Sequence, residues 1–354
     1  MASTEHRESM KFQRLEAVRG FAALYVCLTH IFHHDWIALP WRVALSFGQE
    51  AVIVFFVLSG FVIRWATGRQ DAGETFDRYF LKRFIRIYSV WGCAVIALCV
   101  IAWAEAGHFV HQPAFQWIGN LLMLQDWSYG RPAVICDPLY GDTPLWSLHY
   151  EWWFYMLFPL VNALAPTRWR EHAVGGLAVA NAILYAFLPN PLSRLFVYLS
   201  IWWIGVRAAE CLRANGTLRL RDLRVPLCYV ALSAIPGLSV TYEWWRAGQP
   251  LSLGLHPVAE PRHLLGAVVL VLLAFVWRRL KWIGFDHTIG RCAFIAPISF
   301  SLYVIHYRSI GVARYFGFIG SPFVETLLYL AVTLLFCVGV ELLLYPRLRA
   351  LLRL

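Results

Sequence analysis

The chain has 354 residues, 59% of them hydrophobic and only 15% charged, with a mean hydropathy of +0.56. A soluble domain of this length carries about a quarter charged residues, so the composition excludes an ordinary soluble enzyme and describes a polytopic membrane protein. The formal net charge of +10 is assigned to arginine-rich cytoplasmic loops rather than to nucleic acid.

Residues 1–14 are polar, and the apolar run behind them lacks a small-residue cleavage site, so no cleavable leader is expected. Apolar segments close to the ~20 residues that a bilayer requires lie at 15–34, 44–66, 86–104, 146–165, 173–188, 192–212, 225–243, 263–280, 293–314 and 323–344. They predict an all-α polytopic membrane protein of about ten transmembrane helices. Segment 114–126 is too short to span and reads as an interfacial or re-entrant piece. No repeat or linker interrupts residues 1–354, which read as a single transmembrane domain without an appended soluble domain. Seven of the eight cysteines sit in or beside apolar runs, which suggests neither a disulfide framework nor a metal site.

The charges give this map a direction. With the N-terminus in the cytoplasm, 21 Lys and Arg fall inside, six fall outside and four lie within or at the ends of spans. The inside set includes Arg7, Lys11, Arg69, Lys82, Arg83, Arg86, Arg213, Arg219, Arg221, Arg224 and Arg349; the outside set includes Arg42, Arg131 and Arg194. This asymmetry predicts both termini cytoplasmic. The outer connection 105–145 carries Glu105, Asp126, Asp137 and Asp142 against Arg131.

The first span, in RLEAVRGFAALYVCLTHIFHH, carries Arg19 and His30 eleven residues apart. At 100° per residue they are only about 20° apart around the helix and roughly 16 Å apart along it. Ionisable groups inside a span normally face a partner or a cavity. Arg19 snorkelling to headgroups and His30 as a satisfied core histidine are the plainer alternatives, which the shared face disfavours. FFVLSGFVIRW closes the second span with Ser59-Gly60, where small residues permit close helix approach. RYFLKRFIRIY sets Lys82, Arg83 and Arg86 before the third span, as a phosphate-binding or merely solvated face. PLWSLHYEWWFYMLFP brings Glu151 into the fourth span from outside, to the level expected for His30. His306, in ISFSLYVIHY, also falls in the outer half, and His149 carries no specific signal.

Together, the Arg19–His30 spacing, FFVLSGF, RFIRIY, WSLHYEWWFY and SLYVIHY resemble the acyltransferase 3 family of integral-membrane O-acyltransferases, in order and over essentially the whole chain. Glu16 stands where many members have Asp, and Ser89 where Pro often follows the basic motif. The resemblance implies a cytoplasmic acyl-CoA donor, most often acetyl-CoA, no metal, and a carbohydrate or lipid-linked glycan acceptor such as an exopolysaccharide or cell-surface glycan. It implies a multi-pass protein of the plasma (inner) membrane. Arg19, Arg83 and Arg86, with Ser59, are expected on the donor side, because guanidinium forks match phosphate oxygens. His30 is the expected general base and Glu151 the carboxylate that orients it, with an acyl-histidine left open. His306 is a second base, an oxyanion donor or a packing residue. Trp146, Trp152 and Trp153 offer faces for a sugar or simply mark the interface. The rival reading is a transporter that uses Glu, His and Arg as a relay.

Overall fold

A computed structural model describes residues 2–32, 39–68 and 75–353. Arg69, and His33 and His34 of the first predicted span, lie outside the described residues. The helices are α1 (Ala2–Ile31), α2 (Leu39–Ala44), α3 (Gly48–Gly68), α4 (Phe76–Ala106), α5 (Ala114–Leu121), α6 (Trp146–Leu164) and α7 (Arg170–Phe187), followed by α8 (Pro191–Asn215), α9 (Arg224–Arg246) and α10 (Ala259–Arg279). A 3-10 stretch, Ile289–Ile298, runs into α11 (Ser299–His306) and a π turn, Tyr307–Gly311. Helix α12 (Pro322–Val338) passes through a second π turn, Gly339–Leu344, into α13 (Tyr345–Leu351). Among the described residues there is no strand, only an isolated bridge between Gln125 and Cys136.

Local chemistry sets the ends. Thr75 caps α4 through the Arg78 N–H (3.4 Å), and Gly107 ends it in the left-handed region at φ 73°. Asn190 caps α8 through the Ser193 N–H (2.8 Å), with Pro191 in the first turn.

Seven helical stretches among the described residues are long and apolar enough to cross a membrane. They coincide with seven of the expected spans. The expected spans 15–34, 146–165 and 173–188 are also helical, as α1, α6 and α7, but fall outside those seven. These three carry Glu16 and Arg19; His149 and Glu151; Arg170, Glu171 and His172. Segment 114–126 forms only the eight-residue α5 and a turn at Met123.

Helix α8 is the axis of packing. Trp202, Trp203 and Tyr198 on it are fully buried, and it lies against α3 through a reciprocal close approach. A Cβ on Gly60 would collide with the Trp202 carbonyl oxygen, and one on Gly205 with that of Val57, so small residues fix the spacing of this pair. At one end of the bundle Arg64 pairs with Glu210 (3.0 Å) and Arg207 with Glu171 (2.7 Å), tying α3, α7 and α8 together. Phe12 meets Trp65 there (5.3 Å between centroids), and Arg86 lies 4.9 Å from the Tyr345 ring. The start of α1, the start of α4 and α13 therefore share one end, the basic end.

At the far end, the connection 122–145 is folded into the bundle. Asp126 bonds Arg131 (2.9 Å), Arg194 (2.9 Å) and the Tyr150 hydroxyl (2.6 Å), all of them buried. Arg131 and Arg194, expected as outer-loop charges, are thus internal. Burial pushes the Asp126 carboxyl up, but the two guanidiniums outweigh it and hold it at about 2. The Met123 carbonyl accepts from Trp153 Nε1 (2.9 Å) and faces His149 Nδ1 (2.6 Å). Trp146 lies beneath the Arg131 guanidinium (3.9 Å) and parallel to the His263 ring. Trp152 packs on Phe80 and Tyr88. Of the tryptophans offered above as sugar faces, Trp146 and Trp152 are buried here and Trp153 is half-buried.

Candidate functional site

Five of the seven predicted site residues, Arg19, Ser59, Arg83, Arg86 and Glu151, line one cavity of about 330 Å³ between α1, α3, α4, α6 and α11. Its wall is graded. At the basic end stand Lys82, Arg83, Arg86 and Arg349; at the other end stand Phe55, Phe56, Ser147 and Tyr303. Along α3 the lining runs from Ile63 to Phe55, a rise of about 12 Å.

A hydrogen-bonded group sits midway. Glu151 Oε1 accepts from Ser59 Oγ (3.1 Å) and, at very short range, from the Tyr155 hydroxyl one turn further along α6. Ser59 Oγ lies 3.1 Å from the Tyr155 hydroxyl and accepts from Trp202 Nε1 (3.2 Å). Gly60 makes the close helix contact, which leaves Ser59 to face the carboxylate rather than serve as packing alone. Arg19 donates to the Ala296 carbonyl (2.9 Å) and pairs with Glu16 (2.7 Å).

Among the described residues no hydrogen bond or ion pair joins Glu151 to His30. The hydrogen bonds of Glu151 run to Ser59 and Tyr155, and the depth of α6 explains why. His30 is in the last turn of α1, where Thr29 borders Gly48 at the start of α3. The inserted connection makes α6 begin deeper, with Trp146 level with Phe56 (6.1 Å between centroids). Ser59, the partner of Glu151, is eleven residues along α3 from Gly48, about 16 Å lower. Glu151 therefore shares the level of Arg19, not of His30.

The ring that His30 meets is that of His306, at 5.1 Å between centroids, with Tyr307 at 5.0 Å. His306 is buried. Its Nδ1 lies 2.8 Å from the Tyr303 carbonyl and 3.2 Å from that of Leu302. A carbonyl only accepts, so in the neutral ring the proton is on Nδ1 and the lone pair on Nε2. That Nε2 has no hydrogen-bond partner among the described residues. Tyr303 joins the two levels: its ring is 5.9 Å from His306 and its hydroxyl donates to the Pro144 carbonyl (2.7 Å) while accepting from Ser147 (2.8 Å).

Arg86 differs from expectation. Its guanidinium forks onto both oxygens of Glu341, a close contact to one and 3.2 Å to the other, between the rings of Phe300 (4.8 Å) and Tyr345 (4.9 Å). Glu341 also accepts the Ser301 N–H (3.2 Å). The charge of Arg86 is thus matched within the protein. The Arg83 guanidinium lies 5.0 Å over Tyr79, and Lys82 and Arg349 complete that wall.

Two acidic residues were missed by sequence reasoning. Glu341 stands in an apolar span, GVELLLYP, and an intramembrane glutamate of that kind is signal enough for a buried cation partner. Asp142 had no such signal, being one loop acid among four. It is fully buried, neither carboxyl oxygen has a hydrogen-bond partner among the described residues, and burial pushes its pKa well above the usual carboxylate value against the opposing pull of Arg308.

The helices thus enclose a cavity with a cationic end, a half-buried carboxylate midway and a histidine pair beyond it, in a chain with seven helical stretches, among the described residues, long and apolar enough to cross a membrane. Residues 12–342 match the acyltransferase domain model, and the chain belongs to the acyltransferase 3 family of enzymes. It is 32% identical over 182 residues to the acyltransferase MdmB of Streptomyces mycarofaciens, covering 48% of this chain and 45% of that protein. It is 23% identical to nodulation protein 10 of Rhizobium leguminosarum bv. viciae, covering 85% of this chain and 94% of that one. Similarity to the O-acetyltransferase OatA of Staphylococcus aureus, 29% identical, covers 42% of this chain and 24% of that protein. The chain thus spans about half of MdmB and a quarter of OatA. No solved structure matches it significantly.

Proposed function

We propose that this chain is a membrane O-acyltransferase that takes an acyl group, acetyl first, from cytoplasmic acyl-CoA and passes it to a hydroxyl of a carbohydrate or lipid-linked glycan at the opposite membrane face. The observation that carries this reading is the graded cavity of about 330 Å³, cationic at one end and one helical turn from the His30–His306 pair at the other. In this reading it is a plasma-membrane protein of ten spans with both termini cytoplasmic, the residues 1–354 forming one transmembrane domain.

The anionic nucleotide of CoA meets Arg83, Lys82 and Arg349, with Arg19 deeper along the arm. Arg86, held by Glu341, shapes the wall more than it supplies free charge. The phosphopantetheine arm passes the Ser59–Glu151–Tyr155 group and brings the thioester to Tyr303. There an acceptor oxygen forms the new ester bond as the carbon–sulfur bond breaks and its proton moves to a histidine. His306 Nε2, which carries the lone pair, is the base that the geometry favours, and His30 shares its proton or orients the acceptor. Glu151 acts on the donor side, contrary to the role as orienter of His30 that the sequence suggested.

Radiolabelled acetyl-CoA, incubated with the purified protein in detergent and a membrane glycan fraction, tests this directly. Label is expected in the glycan, with CoA itself bound at micromolar levels. A folded protein that neither binds CoA nor transfers label would overturn the reading.

A further inference from the structure

The far end of the cavity is unlike the rest of it. Among the described residues no charged side chain lines it; Phe55, Phe56, Ser147 and Tyr303 do. The wall is also fixed. Tyr303 is 6% exposed, and its hydroxyl is held from both sides by the Pro144 carbonyl (2.7 Å) and Ser147 (2.8 Å). Phe55 packs on that immobilised ring at 5.6 Å between centroids, and Phe56, 2% exposed, is locked among Trp146, Tyr150, Phe154 and Tyr198. A rigid apolar end opposite a cationic end suits an amphiphile that is anionic at one extremity and alkyl at the other.

We infer that this end is a subsite for a short acyl group, and that the Phe55–Tyr303 contact sets the limit on its length. The inference rests on the acyl-CoA reading of the same cavity and adds to it which acyl chains fit. A thioester lying at Tyr303 sends its alkyl carbons against the two rings. A tightly packed wall cannot yield to further methylenes without displacing side chains. One methylene in an apolar pocket is worth roughly 10–200-fold in discrimination, so a few carbons suffice to exclude a chain.

The test uses CoA, acetyl-CoA, butyryl-CoA and octanoyl-CoA as probes, with dissociation constants measured on the full chain in detergent. In the unaltered protein octanoyl-CoA should bind at least tenfold more weakly than acetyl-CoA. Phe55→Ala should shrink that ratio about tenfold, and Phe55→Trp should move the limit the other way by weakening butyryl-CoA relative to acetyl-CoA. The ratio is read within each variant, and the bulkier substitution provides a second variant if the truncated one does not fold. Equal affinity for acetyl- and octanoyl-CoA in the unaltered protein, or a ratio that neither variant moves, would refute the subsite. Failure to bind even CoA would instead refute the donor reading beneath it.

Discussion

Because Nδ1 of His306 faces the Tyr303 carbonyl at 2.8 Å, the lone pair of the ring is aimed away from its own helix. His306→Gln keeps much of the shape and removes the base. Loss of a general base costs about 10²–10⁴-fold in rate, so transfer should fall by that factor while CoA affinity persists. His30→Ala is expected to fall in the same sense, and a folded His306→Gln protein with near-normal turnover would leave His30 as the base. At the donor end, Arg83 and Arg86 separate. Arg83→Ala should weaken acyl-CoA binding by about 1.5–3 kcal/mol, the worth of a charge-assisted bond. Arg86→Ala leaves Glu341 buried without its partner, which costs about 3–5 kcal/mol of stability. The double variant Arg86→Met with Glu341→Leu should recover most of that loss. Thermal unfolding in detergent distinguishes the two arginines, and an Arg86→Ala protein as stable as its parent would mean that the ion pair is not structural.

Among the elements, the connection 122–145 did most to separate sequence expectation from structure. Its composition reads as an ordinary acidic outer loop, but Asp126 is the centre of a buried charge group with Arg131 and Arg194. Pairing across 68 positions of chain, from Asp126 to Arg194, leaves no local periodicity to read. The same insertion lowers α6 and moves Glu151 away from His30. The motif WSLHYEWWFY therefore pointed to a carboxylate that lines the cavity, while the depth of that carboxylate was invisible. The insertion also has a pH signature. The Asp126 carboxyl stands at about 2 in the fold, below about 3.9 in an unfolded chain. A depressed carboxylate contributes stability above its unfolded pKa and loses it as pH falls through the folded one. The protein should lose about 2–3 kcal/mol between roughly pH 4 and pH 2 on this account. Asp126→Asn should be less stable at neutral pH, since it leaves two guanidiniums buried, and should show a flatter acid limb. An unchanged acid limb in a folded Asp126→Asn protein would place the titration elsewhere.

At the scale of the whole molecule, hydropathy alone located every long helix, because each must satisfy its backbone internally and present an apolar surface. What it did not convey is which of them meet lipid. Helix α8 is as apolar as its neighbours but is mostly enclosed, and α1, α6 and α7 give up hydropathy to carry the site and its braces. Orientation is then a matter of charge. Thr217, exposed between α8 and α9, lies among Arg213, Arg219, Arg221 and Arg224, and Gln249, exposed after α9, lies at the other end of that helix. In a variant whose eight native cysteines are replaced and whose fold is retained, Thr217→Cys should react with an impermeant maleimide only after the membrane is opened. Gln249→Cys should react in intact cells. The positive-inside bias predicts this direction, and the proposed donor reading requires it, since that reading has acyl-CoA enter from the cytoplasm at the end that carries Lys82, Arg83 and Arg349. Labelling of Thr217→Cys from outside would invert the molecule and place its cationic cavity mouth where no acyl-CoA is available.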